Sequence, residues 1–502
     1  MALSQTGFGK FHYMLLALCG MIYMDTAIGI TLLSFVLPAA QCDFDMTSED
    51  KGWLTAAPML GMVVGSYFWG CLADTQGRKY VLVAALVLDA VCGIASSISQ
   101  YFGLFMFFRF FNGFGLTGAM GICYPYLGEF QATKYREKIL CWMEMFWTIG
   151  VIILPGLAWL LIPLQVRFES EEFIFDSWNL FVLICSLPSL LLALWLLFFP
   201  ESPKFLFENG CPEEAIKILQ HIYAVNTGDA PAGFPIETLK EKSRHNSSWS
   251  VNSQKSLRSI RSFGDLQNLL REIWEQTKSL CSAPHLRNTL LTCFIQFGLT
   301  SSYYTLMVWF PELFTRFEEF EVLYPGQTAS VCEVSSVKFA NITSEEELCS
   351  ASIEETVYLN TLIIGLACIP TSIWLPLCVH RLGTKFFLVF SLVVAGGVTL
   401  GFYFVQNATE NLILSCIFEA LTSLGISTVY CVIVDLFPTN LRVTAAALSL
   451  TFGRGGALLG NLVFGFLIDL NCIVPVILFA ALLIASGIAC FFLPSTGKTE
   501  LD

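Results

Sequence analysis

Gly70-Cys71-Leu72-Ala73-Asp74-Thr75-Gln76-Gly77-Arg78-Lys79 joins two hydrophobic segments too long for a soluble core, the first ending near Gly70 and the second starting near Tyr80. So short a connection between two membrane spans must turn sharply. Gly77 can take a positive φ at little steric cost. Asp74 can accept hydrogen bonds from free N–H groups at a helix start. Arg78 and Lys79 hold the loop on the basic side of a bilayer.

The composition agrees. Of 502 residues, 55% are hydrophobic and only 13% charged. Apolar runs of about 20 residues recur along the whole chain, each long enough to cross the hydrocarbon layer. A soluble enzyme is excluded on these grounds. The net charge of −13 and a pI near 4.9 argue against a nucleic-acid partner. The segment from His12 to about Ala40 is too long for a signal core and reads as a first span. Most of the 18 cysteines lie in apolar runs, where they act as small buried hydrophobes.

Twelve spans are predicted, at about 12–40, 52–72, 80–98, 102–126, 138–163, 178–199, 288–310, 354–378, 385–404, 410–433, 443–468 and 473–494. The even number puts both termini on one side. That side, with Lys10, Arg78 and Lys79, holds 21 of the 27 Lys and Arg; the other holds Lys51, Arg167, Arg316 and Lys338. This bias predicts cytoplasmic termini. The chain divides into a six-helix bundle over 1–199, a cytoplasmic linker over 200–287, and a second bundle over 288–502 that includes an external loop at 314–353. The linker carries an amphipathic helix from Pro212 to about Val225. It then passes into a Ser-rich stretch, Ser243 to Ser262, read either as a flexible tether or as a phosphorylated segment around Arg258 and Arg261. In the external loop, Asn341-Ile342-Thr343 is a glycosylation acceptor. A Cys332–Cys349 disulfide is the pairing expected there.

An internal repeat is visible. Gly383 follows Gly77 by 306 residues, in the degenerate copy His380-Arg381-Leu382-Gly383-Thr384-Lys385. Glu129 and Arg136 follow the fourth span as Asp435 and Arg442 follow the tenth, again 306 residues apart. Three coincidences at one offset indicate two related halves with a solute path between them.

The opening stretch resembles the signature between the second and third helices of the major facilitator superfamily. Pro200-Glu201-Ser202-Pro203 resembles the motif after the sixth helix of its sugar and organic-ion carriers. Asp435-Leu436-Phe437-Pro438-Thr439-Asn440-Leu441-Arg442 resembles the motif after their tenth. More narrowly, Thr6-Gly7-Phe8-Gly9-Lys10-Phe11, the Met24-Asp25 pair and Tyr126-Leu127-Gly128-Glu129-Phe130 resemble the synaptic vesicle glycoprotein 2 family and its relatives. The enlarged loop after the seventh helix fits that choice. The resemblance implies an all-α membrane fold of twelve transmembrane helices in two six-helix pseudo-repeats. It also implies an inner gate in which Asp74, Gly77, Arg78, Glu129, Arg136, Glu201, Asp435 and Arg442 let charges from the two halves pair. Arg109 would link that gate to the cavity.

Ionisable groups within spans are functional candidates by default. Asp25, mid-span in the first helix, could bind a cationic solute or shuttle a proton. Vesicle-glycoprotein relatives follow this aspartate with a glutamate three residues on; here that position is Ile28. Glu144 is the matching candidate on the fifth span. Arg454, between Gly453 and Gly455, could pair with either acid or hold an anionic group. Tyr303, Tyr304 and Trp309 suit a cavity wall and cation–π contact. Glu419 and Asp89 are weaker candidates.

Two functions compete. One is a secondary transporter that moves a small organic, charged solute by alternating access, coupled to H+ through Asp25. The other is a non-transporting vesicle membrane glycoprotein that acts by binding partners. No P-loop, metal-ligand spacing or nucleophile triad occurs, so no cofactor, no metal and no enzyme is expected. The expected setting is a monomer in the bilayer of the plasma membrane or of a secretory or synaptic-type vesicle.

Overall fold

A computed structural model describes residues 2–164, 166–170, 173–236, 267, 271, 274–275, 277–340, 353–437 and 442–494. Twelve long helices dominate: α1 (Lys10–Ala39), α2 (Ser48–Gln76), α3 (Arg78–Ser97), α4 (Phe102–Glu129), α5 (Thr133–Leu161), α6 (Ser177–Leu196), α7 (Leu286–Leu323), α8 (Glu355–Leu382), α9 (Thr384–Gly401), α10 (Ala408–Leu436), α11 (Arg442–Asn471) and α12 (Ile473–Phe491). A bilayer core has no water to satisfy free backbone groups, so a span must close its hydrogen bonds internally, as a helix does. Among the described residues, nine of the twelve are long and apolar enough to cross a membrane.

The other three, α2, α4 and α7, are as long but more polar. They carry Lys51, Arg109, Glu312 and Arg316, all buried inside protein and away from lipid. Lys51 makes the sequence reading start the second span too late, and Glu312 and Arg316 make it end the seventh too early. In the structure α2 begins at Ser48, where Thr47 and Asp50 form a reciprocal cap, and α7 runs on to Leu323.

The repeat has a backbone counterpart. Gly77 and Gly383 both take positive φ, 103° and 80°, and each directly precedes a helix, α3 and α9. A side chain at either position would strain the turn. At the opposite end of the bundle, Gly52 of α2 and Gly465 of α11 lie back to back. A Cβ on Gly465 would fall 2.5 Å from the Gly52 Cα. Two backbones can approach so closely only with small residues at the crossing.

Between α5 and α6 lies an antiparallel hairpin, β1 (Arg167–Ser170) and β2 (Phe173–Asp176), the only strands among the described residues. After α6, the Ser202 hydroxyl caps a short helix, Pro203–Glu208. The next helix, Pro212–Thr227, buries Ala215, Leu219 and Ile222 and ends on Gly228 at φ 82°. These positions form one apolar stripe. Its Asn226 accepts a bond from the Phe11 N–H and donates to the Thr6 carbonyl, docking the helix on the start of α1. The Ser-rich stretch, Asn341 and Cys349 lie outside the described residues.

The expected Cys332–Cys349 disulfide is not the one found. Cys332 is bonded to Cys472 at a Cα–Cα distance of 5.2 Å. A helix over Val331–Ala340 lays Cys332 on the end of α11, where Cys472 occupies the one-residue break before α12. The reading from sequence placed that break on the same face but did not count its cysteine as a partner.

Candidate functional site

Close packing at small residues and interhelical hydrogen bonds hold the membrane helices together, and the few polar side chains that face inward define what remains between them. One cavity, of about 20 Å³, lies where α1, α4, α5, α7 and α10 meet. It has room for about one water. Its walls are Tyr23, Glu144, Trp147, Tyr303, Tyr304 and the neighbouring Ser423 and Ser427. The Tyr124 hydroxyl donates to Glu144. Tyr23 packs edge-on against Tyr124, with ring centroids 5.2 Å apart, and Tyr303 packs on Tyr304 at 5.0 Å. Trp147 Nε1 donates to the Tyr303 hydroxyl at 3.3 Å, joining α5 to α7 across the cavity. Three of the five cavity residues expected from sequence, Glu144, Tyr303 and Tyr304, thus share one chamber. Trp309 lies elsewhere, donating to Asn461 at 3.2 Å.

Asp25 and Arg454 are placed differently. Asp25 is 3% exposed and points among α1, α3 and α6, away from the aromatic cavity. Its Oδ2 lies 2.6 Å from the Ser189 hydroxyl, and Asp89 Oδ2 lies 2.5 Å from the same hydroxyl. Asn112 donates to Asp89 at 2.5 Å, and Arg109 donates to Asn112 at 3.3 Å and to Ser96 at 2.5 Å. The result is one buried chain from Asp25 to Arg109. A serine hydroxyl has one proton and can serve only one acceptor. With two carboxylates on it, one of them must bring a proton of its own. Arg454 reaches from α11 to the Ser66 hydroxyl at 2.7 Å and to Thr117, crossing to α2 and α4. No ion pair of Arg454 with Asp25 or Glu144 occurs among the described contacts.

At the Gly77 end, Arg78 forms an ion pair with Glu129 at 3.3 Å, and Ser202 donates to the same carboxylate. Glu201 accepts from the backbone N–H of Arg78 at 3.0 Å and of Lys79 at 3.1 Å. Burial pushes the Glu201 carboxyl up, while these N–H groups and that of Ser202 pull it back down. All these contacts stay within α2 to α6 and the turn that follows. The described contacts of Arg78, Glu129 and Glu201 thus lie on one side of the repeat. The side chains of Asp74, Arg136, Asp435 and Arg442 lie outside the description.

An ionic contact that does join the two sets of helices lies at the opposite end, and sequence reading missed it. Lys51 of α2 pairs with Glu312 of α7 at 2.5 Å. Arg316 shares Glu312 at 3.1 Å and reaches Asp469 of α11 at 2.8 Å and Ser48 at 2.8 Å. Lys51 and Arg316 had counted only as charges marking one face. The signal was available: Glu312 and Arg316 stand one helical turn apart next to an apolar run.

These features define a membrane transporter of the major facilitator fold. The backbone superposes on the xylose transporter XylE from E. coli in a partially occluded inward-open conformation, with a TM-score of 0.67 over 97% of this chain and 99% of that one, at 15% identity. The D-xylose-proton symporter gives 0.65 over 98% and 100% at 14% identity. Residues 14–315 match the sugar (and other) transporter family, and the chain belongs to it. It is a transporter and not an enzyme. It is 27% identical to synaptic vesicle glycoprotein 2C of Homo sapiens over 98% of this chain and 80% of that protein. For human synaptic vesicle glycoprotein 2B the identity is 26%, over 99% and 86%. Rat synaptic vesicle glycoprotein 2A is 31% identical over 69% of this chain and 47% of its own length.

Proposed function

We propose that this chain is a secondary active transporter of a small organic cation, working by alternating access between bundles 1–199 and 288–502, with the Gly77 end and both termini in the cytoplasm. One observation carries this reading: Glu144 stands in a cavity walled by Tyr23, Trp147, Tyr303 and Tyr304. A carboxylate amid aromatic faces suits an amine or quaternary ammonium group. The small volume corresponds to a closed stage of the cycle, with the solute site contracted between the bundles.

Coupling to H+ is assigned to the buried chain. Asp25 and Asp89 share Ser189, so the pair holds a proton whenever it is closed. The charged or titratable groups around it are Cys92 on α3, Arg109 on α4 and Cys185 on α6. Losing that proton puts two negative charges on one hydroxyl, and the helices must then separate or bring Arg109 closer.

The test is counterflow in proteoliposomes of purified protein, with labelled tetraethylammonium or labelled xylose, at equal pH and with the interior made alkaline. Accumulation of the cation, enhanced by the pH gradient and lost in Asp25→Asn, is the expected result. Accumulation of xylose without the cation would overturn the choice of solute. Cation flux unaltered in Asp25→Asn would remove that residue from the coupling.

A further inference from the structure

A second cavity, also about 20 Å³, lies further along α1, α5 and α7, on the Lys51 side of the Trp147–Tyr303 bond. Glu419 of α10 lines it, with Phe35, Phe310, Thr31 and Thr361 among its walls. Glu419 is 1% exposed. Neither of its carboxylate oxygens makes a well-formed hydrogen bond; the Tyr303 phenol stands beside it without closing one. The other groups that feel its charge are the Tyr304 phenol and the thiols of Cys368 and Cys416, none of them cationic. The two wall threonines spend their protons on their own helices, Thr31 on the Ala27 carbonyl at 2.7 Å and Thr361 on the Val357 carbonyl at 2.8 Å.

A buried acid with a purely structural role would be given donors on both oxygens or a cation, and this one has only the Tyr303 phenol beside it. An acid without a counter-charge inside a membrane protein is costly to keep. It is retained where a cation or a proton visits. A hard metal ion needs a shell of about six or more oxygens, and the walls supply one carboxylate and the hydroxyls of Thr31, Ser34 and Thr361 amid aromatic and aliphatic surface. An organic ammonium group needs one negative charge and aromatic faces, which Glu419, Phe35 and Phe310 offer together.

We infer that Glu419 forms a second binding site for an organic ammonium group, on the external side of the Trp147–Tyr303 partition, which the solute occupies in series with Glu144. The inference rests on the cationic reading of the solute given above. In it, the Trp147–Tyr303 bond is the barrier between two acidic chambers, and the solute passes from one carboxylate to the other as that bond opens.

The test is thermal protection of the purified full-length chain by tetramethylammonium chloride, against NaCl at equal ionic strength. Wild type, Glu419→Gln and Glu144→Gln are compared. Tetramethylammonium should protect wild type, and each single variant should raise the half-protecting concentration about tenfold or more. Protection that is intact in Glu419→Gln but weakened in Glu144→Gln overturns this inference and leaves the proposed function standing. No protection of wild type by the cation overturns both. Equal protection by NaCl that is lost in Glu419→Gln makes the site one for an inorganic cation and also overturns the inference. If Glu419→Gln does not fold, Ser34→Cys decides. Its labelling by a cationic methanethiosulfonate should be slowed by tetramethylammonium, and a rate that tetramethylammonium leaves unchanged refutes the site.

Discussion

Lys51 Nζ stands 2.5 Å from Glu312 Oε1, and this buried pair ties α2 to α7. With Arg316 and Asp469 it forms a cluster of two positive and two negative side chains, all buried or nearly so. The charged contacts described at the Gly77 end stay within one set of helices. Those at the Lys51 end bridge both sets, so ionic contacts tie the two sets together there. The Gly52–Gly465 crossing beside it brings the same two sets into backbone contact.

Lys51→Met should therefore loosen that end. Removing one member of a buried pair costs about 3–5 kcal/mol when it strands the other charge. Here Arg316 still faces Glu312, so a loss near or below the lower figure is expected. Melting in detergent should show the drop. A cysteine placed at Ser34 should at the same time react faster with a membrane-impermeant reagent added from the Lys51 side. A lower melting temperature with unchanged labelling would make the cluster a stabilising contact and not a closure.

The Cys332–Cys472 bond closes a loop of 140 residues. In the chain-entropy view a loop this long contributes roughly 4–5 kcal/mol. Non-reducing peptide mapping should recover the 332–472 link, and Cys349→Ser should leave it in place. Cys472→Ser should lower the melting temperature, and reductant should then have little further effect. Recovery of a Cys332–Cys349 peptide instead would refute the pairing.

Glu201 gives a pH effect with a definite sign. Burial raises its carboxyl above the ordinary 4.5. Between that value and the raised one, the folded protein keeps a proton that the unfolded chain has released. The stability from this group is thus fully present below about pH 4.5 and is lost as pH rises through the raised value. The melting-temperature difference between wild type and Glu201→Gln should move against wild type across the mildly acidic range. A difference that stays flat from about pH 4 to 7 would refute the burial argument.

The repeat could be read from spacing alone because Gly77 and Gly383 answer a backbone demand that few residues can meet. The aromatic chamber could be read because Glu144, Tyr303 and Tyr304 lie on apolar helices, where a polar group is conspicuous. Asp25 was conspicuous for the same reason, but nothing in one helix tells which neighbours it faces. Its pairing with Asp89 through Ser189 depends on the rotation of three helices. Lys51, Glu312 and Arg316 stayed hidden because a charge near the end of an apolar run reads as the end of the span. Only packing shows that the helix continues past them. The Cys472 pairing was missed on similar grounds, since the partner came from a turn 140 residues away.

Asn226 is the joint between the linker helix and the first span. Its Oδ1 accepts from the Phe11 N–H at 3.1 Å, and its Nδ2 reaches the Thr6 carbonyl at 3.1 Å and His12 Nδ1 at 3.2 Å. The His12 Nε2 lies 3.2 Å from the Phe130 carbonyl, which can only accept, so the ring carries its proton there and offers Nδ1 to the amide as an acceptor. Asn226→Ala strands a buried ring nitrogen and two chain groups at once, at about 1–3 kcal/mol for each group left unsatisfied. The helix over Pro212–Thr227 should then exchange its amide hydrogens faster, together with the first turn of α1, while α7 to α12 exchange as in wild type. Asn226→Asp separates the roles, since its carboxylate still accepts from Phe11 but can no longer donate to His12 or Thr6. It should fall between wild type and alanine. Exchange of the linker helix unchanged in both variants would show that Ala215, Leu219 and Ile222 dock it without the amide.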